Sequence, residues 1–204
     1  MPSNPKMKVL IACEESQTVT KAFRELGHEA YSCDILECSG GHPEWHIKGD
    51  VLNVINQGWD IMIAHPPCTY LSNAGARHLY KGGTLQQERF KLGLSAKEFF
   101  MVLYNAPIDK IVIENPTPSK IYELPLETQV IQPYEFGHPY SKRTLLWIKG
   151  LPKLKPTNIV EKQQSTKVAG NWFNAGGVQR KINRSKTFEG IAEAMAEQWG
   201  GYAE

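Results

Sequence analysis

Four short apolar runs of this chain each end in residues able to do chemistry. Val9-Leu10-Ile11-Ala12-Cys13 runs into Glu14-Glu15, and residues 30–34 end in Asp34. Asp60-Ile61-Met62-Ile63-Ala64 is stopped by His65-Pro66-Pro67-Cys68, and Ile111-Val112-Ile113 runs into Glu114-Asn115-Pro116. Cys68 sits between a stiff Pro-Pro turn and a polar Ser/Gly loop, which would expose its sulfur to a ligand as a nucleophile. Glu114 passes from an apolar run directly into a rigid Asn-Pro. Partial desolvation there favours the protonated form, and a neutral carboxyl donates a hydrogen bond and acts as a general acid. Taken singly, Cys68 also reads as inert core and each carboxylate as a strand end turned to solvent. Four such features at one edge point to a site.

For these residues to meet, the runs must be neighbouring strands. Strands are expected at 8–13, 30–34, 60–64, 110–114, 128–132 and 143–149. Helices are expected at 18–26, closed by Gly27, at 86–104, with Phe90, Leu94, Phe99, Val102 and Leu103 near a 3.6-residue period, and at 188–199. The β-α-β-α order with fully apolar strands predicts an α/β fold with a mostly parallel sheet covered on both faces. The two late strands, joined only by a loop, predict an antiparallel pair at one edge. In such a sheet ligands bind beyond the carboxyl ends of the strands, where strand order reverses.

The chain has 204 residues and 23.0 kDa, suiting a single domain across 1–204. Hydrophobic residues make up 41% and charged residues 22%, enough for a buried core and too apolar for intrinsic disorder. No apolar run reaches the roughly 18 residues of a membrane span, and no signal-peptide pattern opens the chain. A cytoplasmic, reducing location is therefore expected, with the four cysteines as free thiols. The net charge of +2 names no partner, but its distribution does. Residues 149–186 hold nine Lys and Arg against one acid, Glu161, with Trp172-Phe173 and Gly176-Gly177 interrupting them. That pattern suits phosphate contact with base stacking, through Trp172, Arg180, Lys181 and Arg184, or else a solvated basic face with a buried aromatic. Cys33, Cys38, His42 and His46 are zinc-ligand types at a spacing unlike a zinc finger, and no metal is expected. His65 and His138 flank the Pro-Pro and Gly-His-Pro turns, where each either contacts substrate or packs the turn.

Order and spacing from about 8 to 150 resemble the DNA cytosine carbon-5 methyltransferases, most closely the short bacteriophage-type members. Residues 60–68 are similar to the nucleophile motif, a strand running into Pro-Cys, and 69–75 to the loop that follows it. Residues 111–116 resemble the Glu-Asn-Val motif with Pro116 in place of Val, and Ser141-Lys142-Arg143 the basic motif before a late strand. Residues 31–35 resemble the acidic strand end beside the cofactor ribose, Gly49-Asp50-Val51 the turn beside adenine, and 190–199 the C-terminal helix. The chain departs from the family at 12–17, which has no glycine, and at 150–186, a short segment where the family carries a long target-recognition region.

The resemblance implies a Rossmann-like fold, S-adenosylmethionine as cofactor and double-stranded DNA with a flipped base as substrate. It implies that the Cys68 thiolate adds to carbon 6 of cytosine, that Glu114 bonds or protonates ring nitrogen 3, and that Arg143 anchors the base or its phosphate. Carbon 5, made enamine-like, then takes the methyl group. Cofactor contacts would come from Cys13, Glu14, Glu15, Ser16, Asp34, Ile35, Asp50, Val51 and Pro66. Nucleic-acid contacts would come from Ser72, Lys142 and Arg143 as well as the basic segment. Other activities fit the same residues: an amino-group methyltransferase (N4-cytosine or N6-adenine), a silent relative binding nucleic acid or a defence protein, or an enzyme of free nucleotides or RNA.

Overall fold

The structure, a computed structural model, describes residues 5–162 and 186–201. Seven strands form one sheet: β1 (Lys8–Ala12), β2 (Glu29–Asp34), β3 (His46–Lys48), β4 (Ile61–Ala64), β7 (Lys110–Asn115), β8 (Gln129–Ile131) and β9 (Thr144–Lys149). Their order is β3-β2-β1-β4-β7-β9-β8, with β5 (Tyr80–Lys81) and β6 (Thr84–Leu85) forming a separate hairpin. β3, β2, β1, β4 and β7 run parallel, and β9 is antiparallel to both β7 and β8. This is the α/β Rossmann-like arrangement expected from the sequence, with its antiparallel pair at one edge. The chain lays β1, β2 and β3 outward in one direction, then returns to put β4 on the other side of β1. Strand order therefore reverses between β1 and β4, and the crevice for a ligand opens at their carboxyl ends.

Strand alternation sorts the core into two layers. Val9, Ile11, Ile61, Ile63, Val112 and Leu146 face helices α1 (Thr18–Glu25) and α4 (Glu189–Gly200), where Phe23 and Trp199 are fully buried. Leu10, Met62, Ile111, Ile113, Leu145 and Trp147 face α3 (Gln87–Tyr104) on the other side. The α3 contact differs from expectation: its buried residues are Gly93, Phe100 and Leu103, while Leu94 and Val102 stay exposed. Gly93 sets this face, because a side chain there would run into the ring of Tyr122. No helix among the described residues is long and apolar enough to cross a membrane.

The last helix is seated by close contacts. Gly190 N–H donates to His138 Nε2 at 3.0 Å, and the Phe188 ring lies 5.0 Å from the His138 ring. His138 thus belongs to the seat of α4. A Cβ at Gly190 would strike the backbone carbonyl oxygen of Phe136. Gly190→Ala is expected to cost about 2 kcal/mol despite alanine's better helix propensity, since neither backbone can yield without moving α4. A lowered urea midpoint at unchanged slope checks this; an unchanged midpoint would contradict the seating described.

Candidate active site

β4 and β7 are adjacent and parallel, in the register Ala64 opposite Ile113, so the residues that follow them emerge side by side. His65 N–H donates to the Ala12 carbonyl at 2.9 Å, carrying the β1–β4 pairing one residue further. Its Nδ1 lies 3.2 Å from Glu114 Oε2, and each side chain is only 12% exposed. Thr187 Oγ1, at the entrance to α4, donates to the same oxygen at 3.2 Å. Next door, the buried Asn115 donates from Nδ2 to the Pro66 carbonyl at 3.0 Å. Cys68 stands two residues beyond Pro66, so its Cα is at most about 7.6 Å from that of Pro66. It is half-buried, at the same sheet end as Glu114.

The loop after Cys68 is tied down. Ser72 N–H donates to the Cys68 carbonyl at 3.0 Å, Ser119 N–H to that of Leu71 at 2.7 Å, and Asn73 N–H to that of Thr117 at 3.0 Å. The chains leaving β4 and β7 therefore hold each other. The Ser72 hydroxyl, expected at nucleic acid, accepts from Gly75 N–H and caps the short helix α2 (Asn73–Ala76).

Glu114 is charged where the sequence suggested a neutral acid. Burial pushes its pKa up, but the hydrogen bond and charge of His65, with Lys142 and Thr187, outweigh burial and bring it down to about 2. The His65 pKa moves the other way. Burial lowers it, and Glu114 and then Glu14 raise it further than burial can lower it. The partner was invisible in sequence because it lies across a strand pairing. Thr187 was missed likewise, with only its place ahead of a helix as a signal.

The basic motif needs a similar correction. Arg143 points its guanidinium to Glu127, 3.7 Å away, and is more than half exposed. Lys142 instead is the cation whose charge bears on Glu114 and His65. Both residues lie ahead of β9, and their contacts separate them: Lys142 Nζ lies 5.8 Å over the Phe188 ring at the entrance to α4. Trp172, Arg180, Lys181, Arg184 and most of the basic segment lie outside the described residues.

On the other side of the crevice, β1 ends in a turn made without glycine. Cys13 and Gln17 adopt left-handed backbone at φ 60 and φ 58, a conformation that side chains disfavour by roughly 1–2 kcal/mol. Gln17 is held by its own amide: Nε2 donates to the His42 carbonyl at 2.7 Å and Oε1 accepts from His42 N–H at 3.0 Å. Gly40 lies so close that a Cβ there would collide with Gln17 and the Ser16 carbonyl.

The Glu14 carboxylate faces inward. It accepts Val19 N–H at 2.7 Å, Thr20 N–H at 3.2 Å and Thr20 Oγ1 at 2.7 Å, satisfying the first amides of α1. Glu15 accepts from Ser39 Oγ, and the Ser16 hydroxyl lies 3.3 Å from that of Thr18. These three side chains shape the turn, whereas two others remain open. Asp34 and Asp50 each accept one backbone N–H on Oδ1, from Leu36 at 2.9 Å and Leu52 at 3.0 Å. Neither Oδ2 has a donor among the described residues. Both charges reach Cys13, whose thiol is raised to about 12 by burial first and then by Asp34, Cys33 and Asp50. Ile35, beside Asp34, is 72% exposed, and Val51 is buried beneath the turn. Two carboxylate oxygens without donors beside an exposed apolar surface fit the ribose hydroxyls, amino group and ring of an adenosyl cofactor. The possible zinc set is dispersed: His46 bonds Ser32 Oγ and the Leu36 carbonyl through its two ring nitrogens, while His42 stacks on Trp45. No metal-holding group of three or more such residues occurs among the described residues.

The Glu114–His65 pair couples stability to pH. Glu114 titrates below its ordinary 4.5, so its contribution is present above that value and fades as pH falls towards 2. His65 titrates above its ordinary 6.5, so its contribution is present below that value and is lost as pH rises through the raised one. These are two views of one interaction, at full strength between about 4.5 and 6.5. Glu114→Gln keeps an acceptor for Thr187 and is expected to cost about 1–2 kcal/mol in that window and little below pH 2. Melting curves across pH check this; an equal loss at all pH values would contradict the ion pair.

No protein-family model and no curated protein matches the chain. Among solved structures, the Dnmt2 methyltransferase of S. pombe is similar at 13% identity and TM-score 0.42, over 83% of this chain and 53% of that one. The methyltransferase EhMeth of Entamoeba histolytica is similar at 13% identity and TM-score 0.46, over 79% of this chain and 58% of that one. The chain thus spans little more than half the length of these two proteins.

Proposed function

We propose that the protein is an S-adenosylmethionine-dependent methyltransferase acting on carbon 5 of cytosine in DNA, through a covalent adduct with Cys68. One observation carries the reading. The Pro-Pro-Cys turn and the Glu-Asn strand end leave adjacent parallel strands and are tied by the Asn115–Pro66 hydrogen bond. A nucleophile and an acid–base group at one sheet end suit attack on one face of a pyrimidine with proton traffic at its edge. Bound there, S-adenosylmethionine supplies an electrophilic methyl group. Asp34 would accept from the ribose hydroxyls, Asp50 from the adenine amino group, and Ile35 would cover the ring. Cys68 adds to carbon 6, Glu114 donates to ring nitrogen 3 once it carries a proton, and Lys142 stands nearer the site than Arg143, expected to anchor the base or its phosphate. A base within duplex DNA must leave its stack to reach Cys68. The basic segment 149–186 would hold the phosphates, so DNA binding should weaken steeply with salt.

Cys68→Ala is expected to abolish methyl transfer to cytosine while leaving S-adenosylmethionine affinity within about twofold, because a lost nucleophile cannot be replaced by binding energy. Mapping methylated cytosines in DNA from expressing cells, with calorimetry of cofactor binding, checks both halves. Methylation surviving the substitution would remove the covalent route. Methylated adenine or N4-methylcytosine would point to amino-group transfer.

A further inference from the structure

We propose that His65 is the proton store of this site, lending a proton through Glu114 to ring nitrogen 3 of the target cytosine and recovering it when the Cys68 sulfur departs. The inference rests on the cytosine reading above and adds a positioning residue to it. The need arises from Glu114 itself. Adding a thiolate to carbon 6 pushes electron density to nitrogen 3, which must gain a proton for the adduct to persist. A carboxylate locked in an ion pair has none to give.

The geometry supplies a source. His65 Nδ1 and Thr187 Oγ1 both converge on Glu114 Oε2, each at 3.2 Å, and no described residue donates to Oε1. One carboxylate oxygen is crowded with donors while the other is left for a ligand. His65 Nε2 is buried without a hydrogen-bond partner among the described residues, so the ring's one polar outlet is Glu114. Three charged groups face the ring: Glu114 from β7, Glu14 from the β1–α1 turn and Lys142 ahead of β9. Glu114, in direct contact, is the main group favouring the imidazolium; Glu14 adds to it, although burial raises the pKa of Glu14 itself. Glu14 is fixed in place by the first amides of α1, which sets its distance from the ring.

The steps balance. As the Cys68 sulfur bonds to carbon 6, the Nδ1–H bond of His65 breaks and a proton joins Oε2. The carboxyl turns this oxygen to the ring, the O–H bond breaks and an N–H bond forms at nitrogen 3. After carbon 5 has taken the methyl group, its hydrogen leaves as a proton to water and the carbon–sulfur bond breaks with its electron pair returning to Cys68. The nitrogen-3 proton goes back through Glu114 to His65. One methyl group is gained, one proton is released, and His65 ends as it began.

The test compares methyl transfer to cytosine in duplex DNA across pH for the unaltered protein and His65→Gln. The unaltered protein should keep its rate through neutral pH and lose it as His65 deprotonates. His65→Gln should fall about 100-fold at pH 8 and far less at pH 5, where Glu114 can carry its own proton, with S-adenosylmethionine affinity unchanged. A variant whose profile keeps its shape, merely scaled down or not reduced, overturns the inference and leaves the cytosine reading standing. No cytosine methylation by the unaltered protein overturns both. If His65→Gln does not fold, the ring titration of His65 is followed by nuclear magnetic resonance in the unaltered protein. Coincidence with the alkaline limb of its rate profile supports the store, and separate values overturn it.

Discussion

The register between β4 and β7 is the constraint on which the site depends. Ala64 stands opposite Ile113, so the next residues, His65 and Glu114, are forced together at the sheet's carboxyl edge. A slip of one residue would send one of them to the opposite face and leave a buried charge unpaired. Contacts at the strand ends oppose that slip, since Ile61 to Ala64 and Ile111 to Ile113 are apolar and buried on both faces: Asn115 Nδ2 donates to the Pro66 carbonyl and Ser119 N–H to that of Leu71. Polar contacts at the strand ends thus hold together a pair of charges that burial opposes.

The pair then organises what surrounds it. Asn115, the next residue along β7, fastens the Pro-Pro turn, and that turn sets where Cys68 begins its loop. Thr187 brings the entrance of α4 onto the same carboxylate, and His138 and Gly190 hold the rest of that entrance. On the far side, Glu14 ties the β1 turn to α1 and adds its charge to the field around His65. The two sides of the crevice therefore share an electrostatic arrangement as well as a sheet.

Much of this was legible in the sequence because it depends on local patterns. Runs such as Val9 to Ala12 and Ile111 to Ile113 have no alternative to burial, and Gly27 marks the end of α1 at φ 87. β3 was missed because His46-Ile47-Lys48 carries one apolar residue, and the β5–β6 hairpin because its only signal is Gly82-Gly83. The site was legible as a set of strand ends but not as a set of contacts. The ionised state of Glu114 depends on His65, distant in sequence and adjacent only through register. The exchange of Lys142 for Arg143 depends on contacts distant in sequence, with Phe188 for one and Glu127 for the other. The first turn holds left-handed backbone at Cys13 and Gln17, which no residue type announces.

The account stands or falls on the Cys68 sulfur forming a bond to cytosine. The most direct measurement offers the protein duplex DNA carrying 5-fluorocytosine with S-adenosylmethionine, and looks for a covalent complex by denaturing electrophoresis and peptide mass spectrometry. Fluorine at carbon 5 cannot leave as a proton does, so the adduct is trapped after methyl transfer. The account predicts a complex linked through Cys68 and dependent on the cofactor. Absence of any covalent complex with DNA that the protein methylates, or a link through another residue, would contradict it.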